Sequence, residues 1–414
     1  MSEKSFKKIS VVGLGYIGLP TAAMFASRKI EVVGVDVNQK AVDTINRGEI
    51  HIVEPDLDII VQAAVKEGYL RATTKAEPAE AFLIAVPTPF KGDNHEPDLS
   101  YIKAASMAIA PVLEAGNLVI LESTSPIGAT ETMAQWLSDA RPDLSFPGVA
   151  GEKSDIRIAH CPERVLPGKV MQELIANDRI IGGMTEKCSM AAIDLYKSFV
   201  IGECVIASST GVAEMAKLTE NSFRDVNIAF ANELSVICDK LKINVWELIA
   251  LANRHPRVSI LRPGPGVGGH CIAVDPWFIV SSAPNDSKLI RDARNINDNK
   301  PLWVIDKVHN LAKTIKIKQK KELVIGVYGL AFKPNIDDLR QSPSVEIAKE
   351  LSKTYKVNAI EPNISELPEE LSKCELVHYK KSIEKCDIAL ILVAHDEFDQ
   401  IEFPQHKTIF ATKK

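Results

Sequence analysis

The stretch "KKISVVGLGYIGLPTAAMFASRKIEVVGVD", Lys7 to Asp36, restricts the possible folds more than any other part of the chain. It reads as a short apolar strand, a turn carrying Gly13, Gly15 and Gly18, a helix of small and apolar residues, and a second apolar strand ending at Asp36. Two strands joined through a helix run parallel, so the stretch predicts a βαβ unit. In such a unit the glycines let the backbone approach a pyrophosphate at the helix N-terminus. A carboxylate about 20 residues further on bonds the adenosine ribose hydroxyls and repels a 2′-phosphate, which favours NAD over NADP. Helix–strand packing alone also selects glycines; the strand, turn, helix and terminal acid together are what point to a dinucleotide.

Further strands are expected at "AFLIAVPTP" and "LVILESTSP", each ending in a Pro/Ser/Thr loop where an open parallel sheet places its ligand contacts. The first domain is expected to span residues 1–207 and to hold NAD. From Gly211 to Lys242, "GVAEMAKLTENSFRDVNIAFANELSVICDKLK" has a helical apolar rhythm without proline or internal glycine. At ~1.5 Å per residue this is roughly 45 Å of helix, more than one domain needs. It is expected to bridge two domains and offer an apolar face to a partner subunit, within a central helical dimerisation and catalytic region over 208–312. After the lysine-rich connector "KTIKIKQKKE", a strand–turn–helix–strand pattern returns in "LVIGVYGLAFKPNIDDLRQSPSVEIAKELSKTYKVNAIEP", and "CDIALILVAH" adds a strand. The two ends echo each other, "VVGLGYIGLP" with "VIGVYGLAFKP". The fold class expected is α/β, with two Rossmann-like, doubly wound parallel-sheet domains joined by a long central helix, the second over 313–414.

With 414 residues the chain is long enough for two or three domains, each with its own core. A net charge of −5 gives no basic excess to recruit nucleic acid. The opening residues lack a signal-peptide pattern, and no unbroken apolar run reaches membrane-spanning length, so a cytoplasmic protein without a membrane partner is expected. Seven scattered cysteines without CxxC spacing fit reduced thiols, not a disulfide framework or a zinc site, and no metal is expected. Cys161 and Cys238 read as core thiols, His51 as structural, and "KIKQKK" as a solvated face.

Two further features carry chemistry. "GVGGHCIAVDPWF" places Cys271 after a glycine-rich turn and four residues before Asp275. A lone cysteine is more often a small buried hydrophobe than a nucleophile. In a nicotinamide enzyme, however, an activated thiol adds to an aldehyde as a thiohemiacetal, offers a second hydride and leaves a thioester for water to open. Glycine-flanked Cys271 beside a dinucleotide motif therefore suggests two successive oxidations, which a plain alcohol dehydrogenase does not need. On the long helix, Lys217, Asn221 and Arg224 are spaced i, i+4, i+7 and share a face, either a solvated polar stripe or a ligand site.

The segments "GLGYIGLP", "STSP", "AKLTENSFRDVNIAFANE", "GPGVGGHCIAVDP" and "GLAFKPNIDDLRQSP" together resemble the UDP-glucose/GDP-mannose dehydrogenase family over essentially the whole chain. The chain departs from the UDP-glucose pattern, with a cysteine after His270 where that branch has serine and Val274 where it has lysine. "CPERVLPG" and "GHCIAVDPWF" resemble instead the branch acting on UDP-N-acetylhexosamines. The resemblance implies four-electron, NAD-dependent oxidation of UDP-N-acetyl-D-mannosamine at C6, with UDP-N-acetyl-D-glucosamine as the alternative, to feed a bacterial surface polysaccharide. A two-electron hydroxyacid dehydrogenase of the 6-phosphogluconate type has no use for Cys271, and a silent regulator has none for intact Lys217, Asn221, Cys271 and Asp275.

Carried over by position, the resemblance makes Cys271 the nucleophile and Lys217 the general acid/base. Asn221 shares the oxyanion, Asp275 adjoins the hydrolytic water, and Glu163 and Thr124 lie near the reacting carbon. Arg164, Val165, Arg224, Gly268, Phe332 and Lys333 resemble substrate contacts. Tyr16, Ile17, Thr88 and Thr130 join Gly13, Gly15, Gly18 and Asp36 around NAD, with Arg340 reaching it from the C-terminal domain. "NRHPRV" resembles a loop that reaches a neighbouring subunit's sugar nucleotide, which implicates His255 and Arg257 and implies a homodimer with a shared active site.

Overall fold

The computed structural model describes residues 6–92, 94–166, 168–319 and 323–410. The opening residues 1–5 and residues 320–322 of the lysine-rich connector, with part of "KIKQKK", lie outside the described residues. The chain forms two compact units, Met1–Thr219 and Glu220–Lys414.

The first unit is built on strands β1 (Lys8–Val12), β2 (Glu31–Val35), β3 (Leu70–Thr73), β4 (Ala81–Ile84), β7 (Leu118–Leu121), β8 (Arg157–His160), β9 (Arg179–Gly183) and β10 (Cys204–Ile206), with a small hairpin of β5 (Phe90–Lys91) and β6 (Glu96–Pro97) after β4. The sheet order is β10-β9-β8-β7-β4-β1-β2-β3. Every pairing in it is parallel except β8 with β9, so the sheet is mixed where an all-parallel one was expected. β4 and β7 are apolar at every position because helices cover both faces. Alternate residues enter opposite cores: Leu83, Leu118 and Ile120 one, Phe82, Ile84, Val119 and Leu121 the other. The parallel register sets Val12 beside Ile84 and Ile84 beside Leu121. The loops after β1, β4 and β7 therefore emerge along one edge, at the point where strand order reverses around β1.

The second unit repeats the plan with β11 (Val324–Tyr328), β12 (Lys356–Ile360), β13 (Glu375–Leu376), β14 (Ile388–Ile391) and β15 (Thr408–Phe410), ordered β13-β12-β11-β14-β15 and all parallel. The long helix expected from sequence spans Thr210–Leu241, and the boundary between the units falls within it. A second helix of equal length, Lys288–Gln319, runs through Pro301 and through most of the segment read above as a connector. Val304, Ile305, Val308 and Ala312 recur at helical spacing and bury against the second sheet's core, and lysines and glutamine extend such a helix readily. No helix among the described residues is long and apolar enough to cross a membrane.

Candidate active site

In the first unit the turn after β1 has the shape a pyrophosphate needs. Gly13 has φ 91°, its N–H donates to Val35 O, and a Cβ there would lie 2.5 Å from Ala85 O. A Cβ on Gly18 would meet Gly13 O at 1.8 Å. A Cβ on Gly15 meets nothing within 4 Å, so this glycine keeps open the approach that a phosphate takes. Asp36, half-buried, accepts Leu14 N–H and Asn38 N–H, each at 2.8 Å, and these bonds fix its carboxylate beside the turn. Tyr16 and Ile17 are half-buried where the helix Gly18–Ser27 begins. The turn thus fits a dinucleotide.

Along the same edge, Thr88 Oγ1 donates to Thr124 O at 2.5 Å, which ties the loops after β4 and β7 together. Thr130 is fully buried, and both its N–H and its hydroxyl donate to Glu214 Oε1, at 2.8 and 2.6 Å. Glu214 Oε2 accepts Gly128 N–H, so this carboxylate caps the positive end of the helix Ala129–Ala140. Burial pushes the Glu214 carboxyl up, opposed by those hydrogen bonds.

Glu163 follows β8 and is buried against Arg179, whose Nη1 donates to Oε2 at 2.6 Å; its Oε1 accepts Arg164 N–H. The Arg179 guanidinium lies over the Tyr196 ring, and Tyr196 OH donates to Glu122 Oε1 at 2.6 Å. Burial raises the Glu122 carboxyl to about 7, although Arg179 opposes it. Glu122, Arg179 and Glu214 were not singled out from sequence; a charge at the end of the apolar run "LVILE" was the one available signal for Glu122. Arg164 and Val165 are half-buried, with Arg164 Nη1 donating to Asp178 O. Cys161 and Cys238 are buried as expected, and burial pushes the Cys161 thiol up to about 12. His51 is exposed.

On the long helix, Lys217 and Asn221 are buried one turn apart, and Arg224 is exposed. In the second unit, Asn221 Nδ2 donates to Asp275 Oδ2 at 2.5 Å. Asp275 opens the helix Asp275–Ser282, where its charge faces the positive helix end, and its N–H donates to Cys271 O at 2.8 Å. Cys271 is exposed, so the reading of this thiol as a buried hydrophobe fails.

The glycines before Cys271 also have local causes. Gly269 has φ 82°, and a Cβ on it would lie 3.1 Å from the Phe332 ring. A Cβ on Gly268 would meet Gln341 O at 2.6 Å. The turn is thus seated on the loop that follows β11, which carries half-buried Phe332 and Lys333. Arg340, in that loop, makes a two-point contact with Asp338, at 2.8 and 2.6 Å. Burial, and then the Arg340 guanidinium, hold the His270 imidazole below its ordinary range.

Upstream, Asn227 bonds Ser259 O and Leu261 N, and Asn232 accepts Gly264 N–H, so helix amides hold the segment between Arg257 and Cys271. His255 and Arg257 are exposed in a loop closed by Asn253, which bonds both backbone groups of Ile260. Among the described residues, no group of three His, Cys, Asp or Glu side chains could hold a metal, and no disulfide forms.

Comparison with known proteins decides the family. The NAD binding domain of the UDP-glucose/GDP-mannose dehydrogenase family matches residues 7–200, its central domain 211–299 and its UDP binding domain 326–414. The chain belongs to the UDP-glucose/GDP-mannose dehydrogenase family. It is 61% identical over 402 residues, 96% of this chain and 97% of the relative, to a protein of Campylobacter jejuni named UDP-N-acetyl-D-mannosamine dehydrogenase. It is 62% identical over 399 residues, 96% of this chain and 93% of the relative, to a protein of Ralstonia nicotianae named NDP-N-acetyl-D-galactosaminuronic acid dehydrogenase. The structure of a UDP-D-ManNAc dehydrogenase from Pyrococcus horikoshii is similar, with a TM-score of 0.86 and 39% identity over 97% of this chain and 93% of that one. As a member of this dehydrogenase family, the protein is an NAD-dependent oxidoreductase acting on a UDP-sugar.

Proposed function

We propose that this dehydrogenase oxidises the C6 alcohol of UDP-N-acetyl-D-mannosamine to the carboxylate of UDP-N-acetyl-D-mannosaminuronate, consuming two NAD. The choice of sugar is supported by two likenesses together, the 61% identity over 96% of the chain to a relative named for that substrate and the likeness to the Pyrococcus horikoshii UDP-D-ManNAc dehydrogenase structure. Asp36 and the glycine turn hold NAD, which accepts a hydride when bound. Lys217 takes the proton of the C6 hydroxyl and, with Asn221, stabilises negative charge on O6. The Cys271 thiolate adds to the C6 aldehyde, and the thiohemiacetal gives up its C6 hydrogen as the second hydride and becomes a thioester. Water held beside Asp275 attacks the carbonyl; the C–S bond breaks, the acid leaves and the thiol returns. Glu163 and Thr124 act near the reacting carbon, and Arg164, Val165, Arg224, Phe332 and Lys333 bind substrate.

Residues 1–207 form the NAD domain in this reading, 208–312 the central region and 313–414 the UDP-sugar domain. The enzyme works in the cytoplasm as a homodimer, with His255 and Arg257 completing the neighbour's site, and supplies a bacterial surface polysaccharide. The similarity to a relative named for galactosaminuronic acid makes the galacto sugar a second reading. NADH formation with UDP-glucose and the UDP-N-acetyl derivatives of glucosamine, mannosamine and galactosamine tests the choice. The manno sugar is expected to give the uronate by mass; preferred turnover of another sugar overturns the assignment.

A further inference from the structure

The second unit contains a copy of the NAD turn that the protein itself has closed. Gly13 and Gly329 have φ 91° and 84°, and each donates its N–H to the last residue of the neighbouring strand, Val35 O and Ile360 O. A Cβ on either would strike a carbonyl, Ala85 O or Val393 O. An acid follows that strand in both units: Asp36 accepts Leu14 N–H, and Glu361 accepts Leu330 N–H at 2.8 Å and Ala331 N–H at 3.1 Å. The difference lies in what else reaches the carboxylate. Asp36 is half-buried, whereas Glu361 is buried and also bonds His395 Nε2 at 2.9 Å and both the backbone and side-chain nitrogens of Asn363. Its acceptor positions are filled by protein donors, so a ribose has no place there.

The histidine that closes Glu361 also reaches outward. His395 Nδ1 accepts Asn335 N–H at 2.9 Å, and a backbone N–H can only donate, so the ring proton sits on Nε2 and points at Glu361. Asn335 Oδ1 in turn accepts Asp396 N–H at 3.0 Å. Asn335 has φ 61°, a left-handed conformation that asparagine tolerates but that persists where neighbours hold it. It lies two residues after Lys333, in the loop on which the glycines before Cys271 are seated.

We propose that Glu361 and His395 are positioning residues for nucleotide binding, which brace Asn335 and through it hold Phe332 and Lys333 against the UDP moiety. The proposal rests on the reading of Phe332 and Lys333 as substrate contacts. Sequence offers no hint of it, because Glu361, Asn335 and His395 come from three separate segments.

Two substitutions separate bracing from general stability. His395→Gln retains a donor at the Nε2 position for Glu361 and lacks the Nδ1 acceptor that serves Asn335 N–H and, at 3.1 Å, Asn363 Nδ2. His395→Asn retains that acceptor and leaves the buried carboxylate one donor short. UDP affinity by calorimetry and Tm are measured on the wild type and both full-length variants. His395→Gln is expected to weaken UDP binding about tenfold or more with Tm near the wild type, whereas His395→Asn stays within about threefold in affinity despite a lower Tm. Affinity that follows Tm in both variants, or that changes in neither, overturns the proposal. If the wild type binds no UDP, the reading of the substrate fails first and the brace has nothing to position.

Discussion

Asn221 donates an amide hydrogen to Asp275, 2.5 Å away, and both side chains are buried. The bond sets which way the amide faces; in the proposed mechanism its other Nδ2 hydrogen is the one offered to a developing oxyanion. It also couples the long helix to the helix that starts four residues after Cys271. Asp275→Asn removes the charge without changing the shape and confronts Asn221 with a second amide. Turnover is expected to fall by about 10²-fold or more, with UDP-sugar affinity kept within a few-fold. Steady-state NADH formation and calorimetry check this; a parallel loss of affinity and turnover contradicts it.

Asp36 accepts two backbone N–H groups beside the glycine turn, which fix its carboxylate there; in the proposed reading it faces the adenosine ribose and repels a 2′-phosphate. NAD is expected to outperform NADP in kcat/KM by roughly 10²-fold, and Asp36→Asn to narrow the ratio. Equal use of both cofactors by the wild type contradicts the assignment.

Glu122 gives a pH-dependent stability. Its folded pKa is about 7, against 4.5 for an ordinary glutamate, chiefly because it is buried. A raised carboxyl favours the fold fully at pH values below the unfolded pKa, and that contribution disappears as pH rises through about 7. The difference is about 3 kcal/mol. Glu122→Gln keeps an acceptor for Tyr196 OH and removes the titration. Melting curves from pH 5 to 8, roughly the window of this linkage, should show the wild type losing ground to the variant as pH rises; a constant gap contradicts the assignment.

Phe223, Phe230 and Ile237 recur every seventh residue on the long helix and are all exposed, a seam suited to a partner helix. If Arg257 completes the neighbour's site, mixing an inactive Cys271→Ser chain with an inactive Arg257→Ala chain assembles mixed dimers with one intact site. Activity should return on subunit exchange. Exchange demonstrated by mass, without recovered turnover, contradicts the shared site.

The parts of the protein legible in sequence were those whose partners lie nearby. Gly13, Gly15, Gly18 and Asp36 fall within one βαβ unit, and the long helix announces itself by unbroken periodicity. Glu214 was invisible because its partners Gly128 and Thr130 are 86 and 84 residues away, and two of its three bonds come from backbone N–H groups, which leave no trace in residue type. Arg179, and its pairing with Glu163, were hidden by the antiparallel return of β9, a pairing that no local pattern encodes. The lysines of Lys288–Gln319 suit a linker and an exposed helix face equally well, and burial at Val304, Val308 and Ala312 decided between them.

Cys271, the exposed thiol that follows the glycine turn, is the centre of the proposed mechanism. Cys271→Ser is a small steric change, so NAD and UDP-sugar affinity should persist. A serine hydroxyl ionises far less readily than a thiol, and its ester hydrolyses more slowly than a thioester. The most direct measurement is a single-turnover NADH assay on Cys271→Ser with UDP-N-acetyl-D-mannosamine, followed by intact-protein mass spectrometry. The predicted result is a slow burst of at most about two NADH per site and a sugar-nucleotide adduct on the serine, with multiple turnover abolished. Near wild-type turnover to the uronate would show that Cys271 is not the nucleophile and that the thioester route is wrong.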